Sequence, residues 1–508
     1  MKTKINTSMK LSAKKFIVTL IASLVAVSIG ACRTPDKGTS SSSIDDLSNI
    51  DEISQISDES TIQESQDGSI PQSSTGGTGN SSGVISKSST GTNTSSAVVI
   101  PTKITPQTCT LTFACIDVAS EKTIANAIIK AFNKVYPNVT VNLTPINGDY
   151  NAKILAQAVS KSLPDVMFTF DTITRVFAQN KILIPIDSYL GTFGYDKNNY
   201  FGNIMDLGKG DDGKIYMIPR EYSHLVTAVN LSVIEAEENM SGAEFITKYK
   251  NWTMNDFITL SKKYTHIDGG GKVIQYGADI NYNWEPVWTS FALGYGGSLI
   301  NSSKAATFSN TNTVTGLSTM LDLVKGKYAY DNLRPESANP YPFNKGMAAF
   351  TFISRPAIPG INTAISGMGM KWDVLPFPTT PNKPVVGMGT TGYGVSANTK
   401  YPYEAALFAY FVATSEGQTA FIGTGSGVPV IKSLKDSAVW RNFPVPNKNS
   451  DAYVVNPQND VRCEFSFSFN IKKITTFSNT LNDSMLKYLV GETSLADAMK
   501  TLDSVLNG

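Results

Sequence analysis

The pattern of apolar and polar positions changes character near residue 105. Beyond that point, apolar runs of strand length alternate with stripes at helical spacing. Cys109 to Ile116 reads as one strand. Ile124, Ile128, Ala131, Phe132 and Val135 then form the apolar face of a helix that Ser120 can cap and that ends near Tyr136. A second strand follows from about Val139 to Thr144, and a second helix opens at Gly148-Asp149-Tyr150 and ends near Lys161. Leu163 to Phe168 is a continuous apolar run, as a strand buried on both faces would be. This rhythm predicts an α/β lobe on a mainly parallel sheet flanked by helices. Ligands in such sheets bind beyond the carboxyl ends of the strands, which places Thr169, Phe170, Asp171 and Thr172 near a ligand cleft.

Lys214 to Ile218 is an extended run that stops at Pro219, a residue with no N–H to continue the pairing. The polar patch Arg220-Glu221-Tyr222-Ser223-His224 separates it from a second extended run, Leu225 to Val229. Two readings fit: a hairpin inside one sheet, or a strand that leaves one lobe and enters another through a polar elbow. Farther on, Thr253 with Asp256 three residues later caps a helix to about Tyr264. The stretch Asn281-Tyr282-Asn283-Trp284-Glu285-Pro286-Val287-Trp288 holds two of the five tryptophans, a tyrosine and a carboxylate at a helix start. Aromatic faces stack on the C–H face of a pyranose, and carboxylates and amides bond its hydroxyls, so this stretch suits a sugar. Trp288 also fits a core position, with Trp284 exposed. Gly387, Gly389, Gly392 and Gly394 permit close backbone approach and hinge torsions in a late extended stretch that also holds Tyr393. Arg462 to Phe469 alternates as a half-buried segment, with Glu464 and Phe469 edging the cleft, and Ser494 caps a last helix to Asn507.

At the other end, Lys10, Lys14 and Lys15 precede an apolar run from Phe16 to Ala31 that is short for a membrane span. Residues 33–105 are dominated by Ser, Thr, Gly, Asn and Gln and bury too little apolar surface to order, which predicts a flexible tether of about 45 Å root-mean-square span. The chain has 43 Lys and Arg against 42 Asp and Glu, so no basic field argues for nucleic acid. Its two histidines, His224 and His266, are not spaced with acids or cysteines as metal ligands. No cofactor is called for. Glu221 and Glu285 leave a glycosidase pair open, since their separation is not readable from sequence. Cys109 and Cys115 lie roughly 20 Å apart in one strand and cannot bridge. Cys463 is a buried thiol or a partner for one of them.

Several motifs carry a resemblance. "DGKIYMIP", the polar elbow and "VNLSVIEAE" are similar to the first interlobe crossover of extracellular solute-binding proteins of ABC importers, the maltose-binding-protein family. "LPDVMF", "LIPID", "FNKGMAAFT", "KWDVLPFP" and "VVGMGTTGYGVSANT" follow in that family's order, and the resemblance covers about residue 110 to the end. Ile29-Gly30-Ala31-Cys32 matches the bacterial lipobox.

The resemblance implies a two-lobe periplasmic-binding-protein-like fold of type II. A signal peptide would occupy 1–31, with lipid on Cys32, and the tether 32–105. The solute-binding domain would follow at 106–508, with lobes of about 108–222 plus 388–430 and 223–387 plus 431–508. It further implies a non-catalytic, monomeric lipoprotein on the extracellular face of the membrane that binds an oligosaccharide and delivers it to an ABC permease. Asp171, Tyr222, Trp284, Glu285, Trp288, Arg355 and Tyr393 would contact the ligand. Ser354-Arg355-Pro356 stands where related sugar binders carry a tryptophan. That departure keeps an acidic sugar, peptide or polyamine in play, and a secreted carbohydrate-active enzyme or a surface sensor remain rivals.

Overall fold

The computed structural model describes residues 105–334, 341–446, 448–462 and 471–508. Cys32, the tether, Cys463, Glu464 and Phe469 lie outside them.

In the first lobe, β1 (Cys109–Ala114) pairs in parallel with β2 (Val139–Leu143) on one side and β3 (Val166–Phe170) on the other. Between them run α1 (Ala119–Val135) and α2 (Tyr150–Val159). Asp149 caps α2 through Ala152 N. The cap of α1 is Val118 rather than Ser120. A bridge from Ile116 to Ile146 ends the strand early enough for the helix to begin at Ala119, which leaves Ser120 inside its first turn. α3 (Asp171–Gln179) starts directly from β3. Both Cys109 and Cys115 are free, buried thiols.

Two further strands complete this sheet in the order β2-β1-β3-β12-β4. They are β4 (Met217–Pro219) and β12 (Thr391–Val395), and β12 lies antiparallel to both its neighbours. The second lobe's sheet has the order β10-β6-β9-β8-β7. It comprises β6 (Val226–Asn230), β7 (His266–Ile267), β8 (Val273–Asp279), β9 (Ala348–Ile353) and β10 (Trp372–Pro376). Here β8 and β9 are parallel, while β6 is antiparallel to β9 and to β10. The two sheets follow one rule. Apart from the short edge strand β7, antiparallel to β8, strands that run toward the junction between the lobes are mutually parallel, and the strand that arrives from the other lobe is inserted among them in the opposite sense.

The junction is a third sheet of three short strands, in the order β13-β11-β5. They are β5 (Ser223–His224), β11 (Val386–Gly389) and β13 (Asp460–Arg462). The chain thus runs from β4 through β5 to β6, and returns from β10 through β11 to β12. The elbow reading of residues 212–230 is the one the structure adopts. After β13, α6 (Ile471–Leu489) and α7 (Leu495–Asn507) contribute Phe477, Leu481, Met485, Met499 and Leu502 to the second lobe's core. Ser494 caps α7, and Thr253 with Asp256 forms a full capping box on Met254–Lys263. In the first lobe, Phe113, Phe132 and Tyr393 pack on Phe408 of α5 (Pro402–Phe411).

Candidate functional site in the interlobe cleft

β11 is the floor on which the two lobes meet. Gly387 and Gly389 are two residues apart and therefore face the same side of it. A Cβ on Gly387 would lie 2.2 Å from Pro286 O, in the first turn of α4 (Glu285–Gly294) of the second lobe. A Cβ on Gly389 would lie 3.4 Å from the Asp171 carboxylate, at the start of α3 of the first lobe. The missing side chains thus let one helix N-terminus from each lobe approach the same strand. The register is held by hydrogen bonds: Thr390 N donates to Asp171 Oδ2 (3.2 Å), and Gly387 N donates to Ser290 Oγ (2.7 Å), which in turn donates to Pro286 O (2.6 Å). Asp171, itself buried, and the start of α4 with Trp284 and Glu285 therefore pack against the same strand at the junction. Trp284 is the N-cap of α4, and both it and Glu285 are half-buried.

Like Asp171, the other four residues expected to touch ligand are packed away from solvent. Tyr222 is buried, donates its hydroxyl to Asp460 Oδ2 and packs on Phe201 and His224, so it ties the first crossing segment to the third. Tyr393 is buried between Phe113 and Phe408, because β12 is a central strand covered on both faces. Trp288 is core, 5.8 Å from the ring of Phe308 and 5.9 Å from that of Phe477. One turn into α4, it faces the second lobe's interior instead of the junction. Arg355 is 1% exposed. Its Nη2 donates to Trp440 O (2.5 Å) and Phe443 O (2.6 Å), and its guanidinium sits over the rings of Trp440 and Tyr453. Burial pulls its pKa down. Trp440, Phe443 and Tyr453 hold Arg355 just beyond the end of β9 and make the expected ligand-facing arginine an internal clamp.

A buried polar network on the first-lobe side was not readable in advance. Arg220 makes a bidentate pair with Glu121 of α1 (2.6 and 2.7 Å) and lies over the rings of Phe168 and Phe421. Burial opposes its charge, but Glu121 more than offsets this and the pKa moves up. The neighbouring Glu221 is pushed up by burial, against the pull of Arg220 and of the Thr391 hydroxyl, which donates to it at 2.7 Å. Thr390 Oγ1 donates to Glu221 O (2.7 Å), so Glu221 and Asp171 converge on one Thr-Thr pair. The polar letters of the elbow flagged Arg220 and Glu221, but nothing in sequence joins them to Glu121, 99 residues away. In the second lobe Asp279, at the end of β8, is pushed up to about 7 by burial, opposed by the Phe343 N–H.

Two α/β lobes joined by a three-stranded hinge, with carboxylate, aromatic and amide side chains at the strand ends that face it, define a hinged solute-binding protein. A family model for bacterial extracellular solute-binding proteins matches residues 127–445, and the chain belongs to that family. No curated protein matches the chain by sequence. Among solved structures, the chain is similar to the ABC substrate-binding protein Lmo0181 from Listeria monocytogenes, in complex with cycloalternan. That match has a TM-score of 0.64 and 20% identity, over 78% of this chain and 98% of that one. The sugar-binding protein MalE of Xanthomonas citri matches with a TM-score of 0.65 and 17% identity, over 78% and 96%. The GacH receptor of Streptomyces glaucescens, known with acarbose, matches with a TM-score of 0.61 and 19% identity, over 78% and 96%.

Proposed function

We propose that the protein is the substrate-binding lipoprotein of an ABC importer. It takes up a sugar or oligosaccharide between its lobes and hands it to a permease at the extracellular face of the membrane, anchored through Cys32. The observation that carries this reading is the approach of one helix start from each lobe, Asp171 on α3 and Trp284-Glu285 at α4, to the same glycine-bearing junction strand. Trp284 stacks on a pyranose face, and the two carboxylates accept from its hydroxyls. Tyr222, Tyr393, Trp288 and Arg355 support the hinge and the cores behind this contact layer. The fold relatives crystallised with cycloalternan and acarbose fit an oligosaccharide ligand. Binding proceeds without chemistry: the lobes shift toward each other as ligand stabilises the closed arrangement. With Arg355 committed to main-chain carbonyls, the case for an acidic ligand loses its cation.

The test is a thermal-shift screen against mono- and oligosaccharides, amino acids, peptides and polyamines. A ligand at 100 times its Kd adds about 2.7 kcal/mol, which raises Tm by a few degrees. A response confined to one glycan series and lost in Trp284→Ala supports the proposal. Silence from every sugar with a response to a charged solute refutes it.

A further inference from the structure

We propose that Asn281, Asn283 and Asn332 form a specificity subsite beside Trp284, reading the arrangement of neighbouring hydroxyls on a neutral pyranose. This rests on the sugar-binding reading above and assigns its selectivity to residues outside the carboxylate and aromatic contacts. The three amides come from two loops at the same end of the second lobe's sheet. Asn281 and Asn283 lie between β8 and α4, immediately before Trp284. Asn332 follows residues 328–330, which run alongside β8: Ala278 bridges Ala329 in parallel, and Tyr330 N donates to Ala278 O. Both loops therefore leave the sheet in the same direction.

Asn332 Nδ2 donates to Asn281 Oδ1 (3.0 Å) and to Asn283 Oδ1 (2.5 Å). With their oxygens turned inward, the Nδ2 groups of Asn281 and Asn283 are a pair of donors on half-buried residues, with no hydrogen-bond partner among the described residues. Two adjacent donors at the edge of a stacking ring match two adjacent hydroxyl oxygens. The trio is held rigidly. Tyr282, fully buried between the two asparagines, donates to Asp331 Oδ1 (2.6 Å). That same oxygen accepts from Leu333 N (3.2 Å), and Asp331 pairs with Arg334. Asn281 adopts φ +46°, a left-handed conformation that asparagine tolerates better than most residues. The backbone thus accepts strain to aim this amide, as expected where geometry matters more than local stability.

The experiment titrates the chain by calorimetry with maltotriose, cellotriose, mannotriose and galactotriose, neutral sugars that differ in hydroxyl configuration and linkage. Two variants are compared with wild type. Asn281→Gly keeps the left-handed backbone and removes one donor, and Asn332→Ala removes the amide that orients the pair. The wild type is expected to separate its best and worst trisaccharides by about tenfold or more, and each variant to compress that ratio to about threefold. A ratio retained in both variants, or a wild type that binds the trisaccharides without discrimination, overturns the subsite while leaving sugar binding intact. A wild type that binds none of the four overturns the subsite, and the function it rests on falls with it when the thermal-shift screen is silent for every sugar and responds to a charged solute.

Discussion

Gly387→Ala is the most direct probe of the junction. The added methyl would meet Pro286 O at 2.2 Å and Pro286 Cα at 2.6 Å, main-chain atoms that cannot rotate away. Either β11 or the start of α4 must move. Overpacking of this kind costs about 1–3 kcal/mol. For a folded region of roughly 400 residues, each kcal/mol moves Tm by only about 1 °C. The stability signal is therefore a small drop, about 1–3 °C. Binding is the sensitive readout, because α4 carries Trp284 and Glu285. If the strain is felt in the lobe arrangement that holds ligand, the same energy becomes a loss in affinity of about 5- to 150-fold. Gly389→Ala is the internal comparison. Its methyl would have Asp171 Oδ2 as nearest neighbour at 3.4 Å, an ordinary contact, so its effect should be much the smaller. Both variants would be titrated by calorimetry with the best sugar from the screen and melted in parallel. A Gly387→Ala protein that binds within twofold of wild type, or a Gly389→Ala protein that is the worse of the two, would refute the assignment of β11 as the shared floor.

Three other outcomes follow from the same geometry. Trp288→Ala should cost about 3–5 kcal/mol as a core cavity, whereas Trp284→Ala, at a half-buried position on the edge of that core, should cost clearly less and abolish the ligand-induced shift; melting curves with and without sugar separate the two, and the reverse pattern would exchange their roles. Glu121→Gln should destabilise by about 3–5 kcal/mol because it strands the Arg220 guanidinium in the interior, and Arg220→Met combined with Glu121→Met should recover part of that loss in a denaturant titration. Asp279 has its folded pKa raised from 3.8 to about 7, so the folded state holds its proton more tightly than the unfolded chain. Its stabilising contribution is full below about pH 4 and is lost as pH rises through about 7, on the order of 4 kcal/mol in all. Wild type should therefore lose stability relative to Asp279→Asn across that window, and parallel stability–pH curves for the two would count against a carboxyl kept neutral by burial.

How much of this was legible in the chain depended on the range of the interaction. Local rules placed the strands and helices of the first lobe, the Thr253 and Ser494 caps and the elbow at residues 219–224, because propensity, capping and apolar periodicity act within a few residues. Directional facts were partly legible: Asp171 after β3 and the helix start at Glu285-Pro286 both lie against the junction strand β11. Tyr222, Tyr393 and Arg355 read as facing the cleft and Trp288 as either cleft or core, and all four are buried for one reason. A strand or helix pattern gives spacing but not which face meets another layer, and Trp288, Tyr393, Tyr222 and Arg355 are covered by elements 20 or more residues distant: Phe308 and Phe477, Phe113, Asp460, and the 438–453 segment. The pairs that depend wholly on the fold, Arg220 with Glu121 and Asn332 with Asn281 and Asn283, left no trace in spacing.

The hinge glycines show why such a site can still be found. The sequence offers four glycines in eight residues, which permit either close backbone approach or hinge torsions. The structure gives them different work. None of the four has a positive φ, so none is required by backbone conformation. Gly392 and Gly394 clear space inside the first sheet, against Ile218 O and Leu183, while Gly387 and Gly389 clear it for the two helix starts. Close approach, rather than torsional freedom, is what the glycines supply here, and it is why a single methyl at 387 is expected to be felt in binding before it is felt in folding.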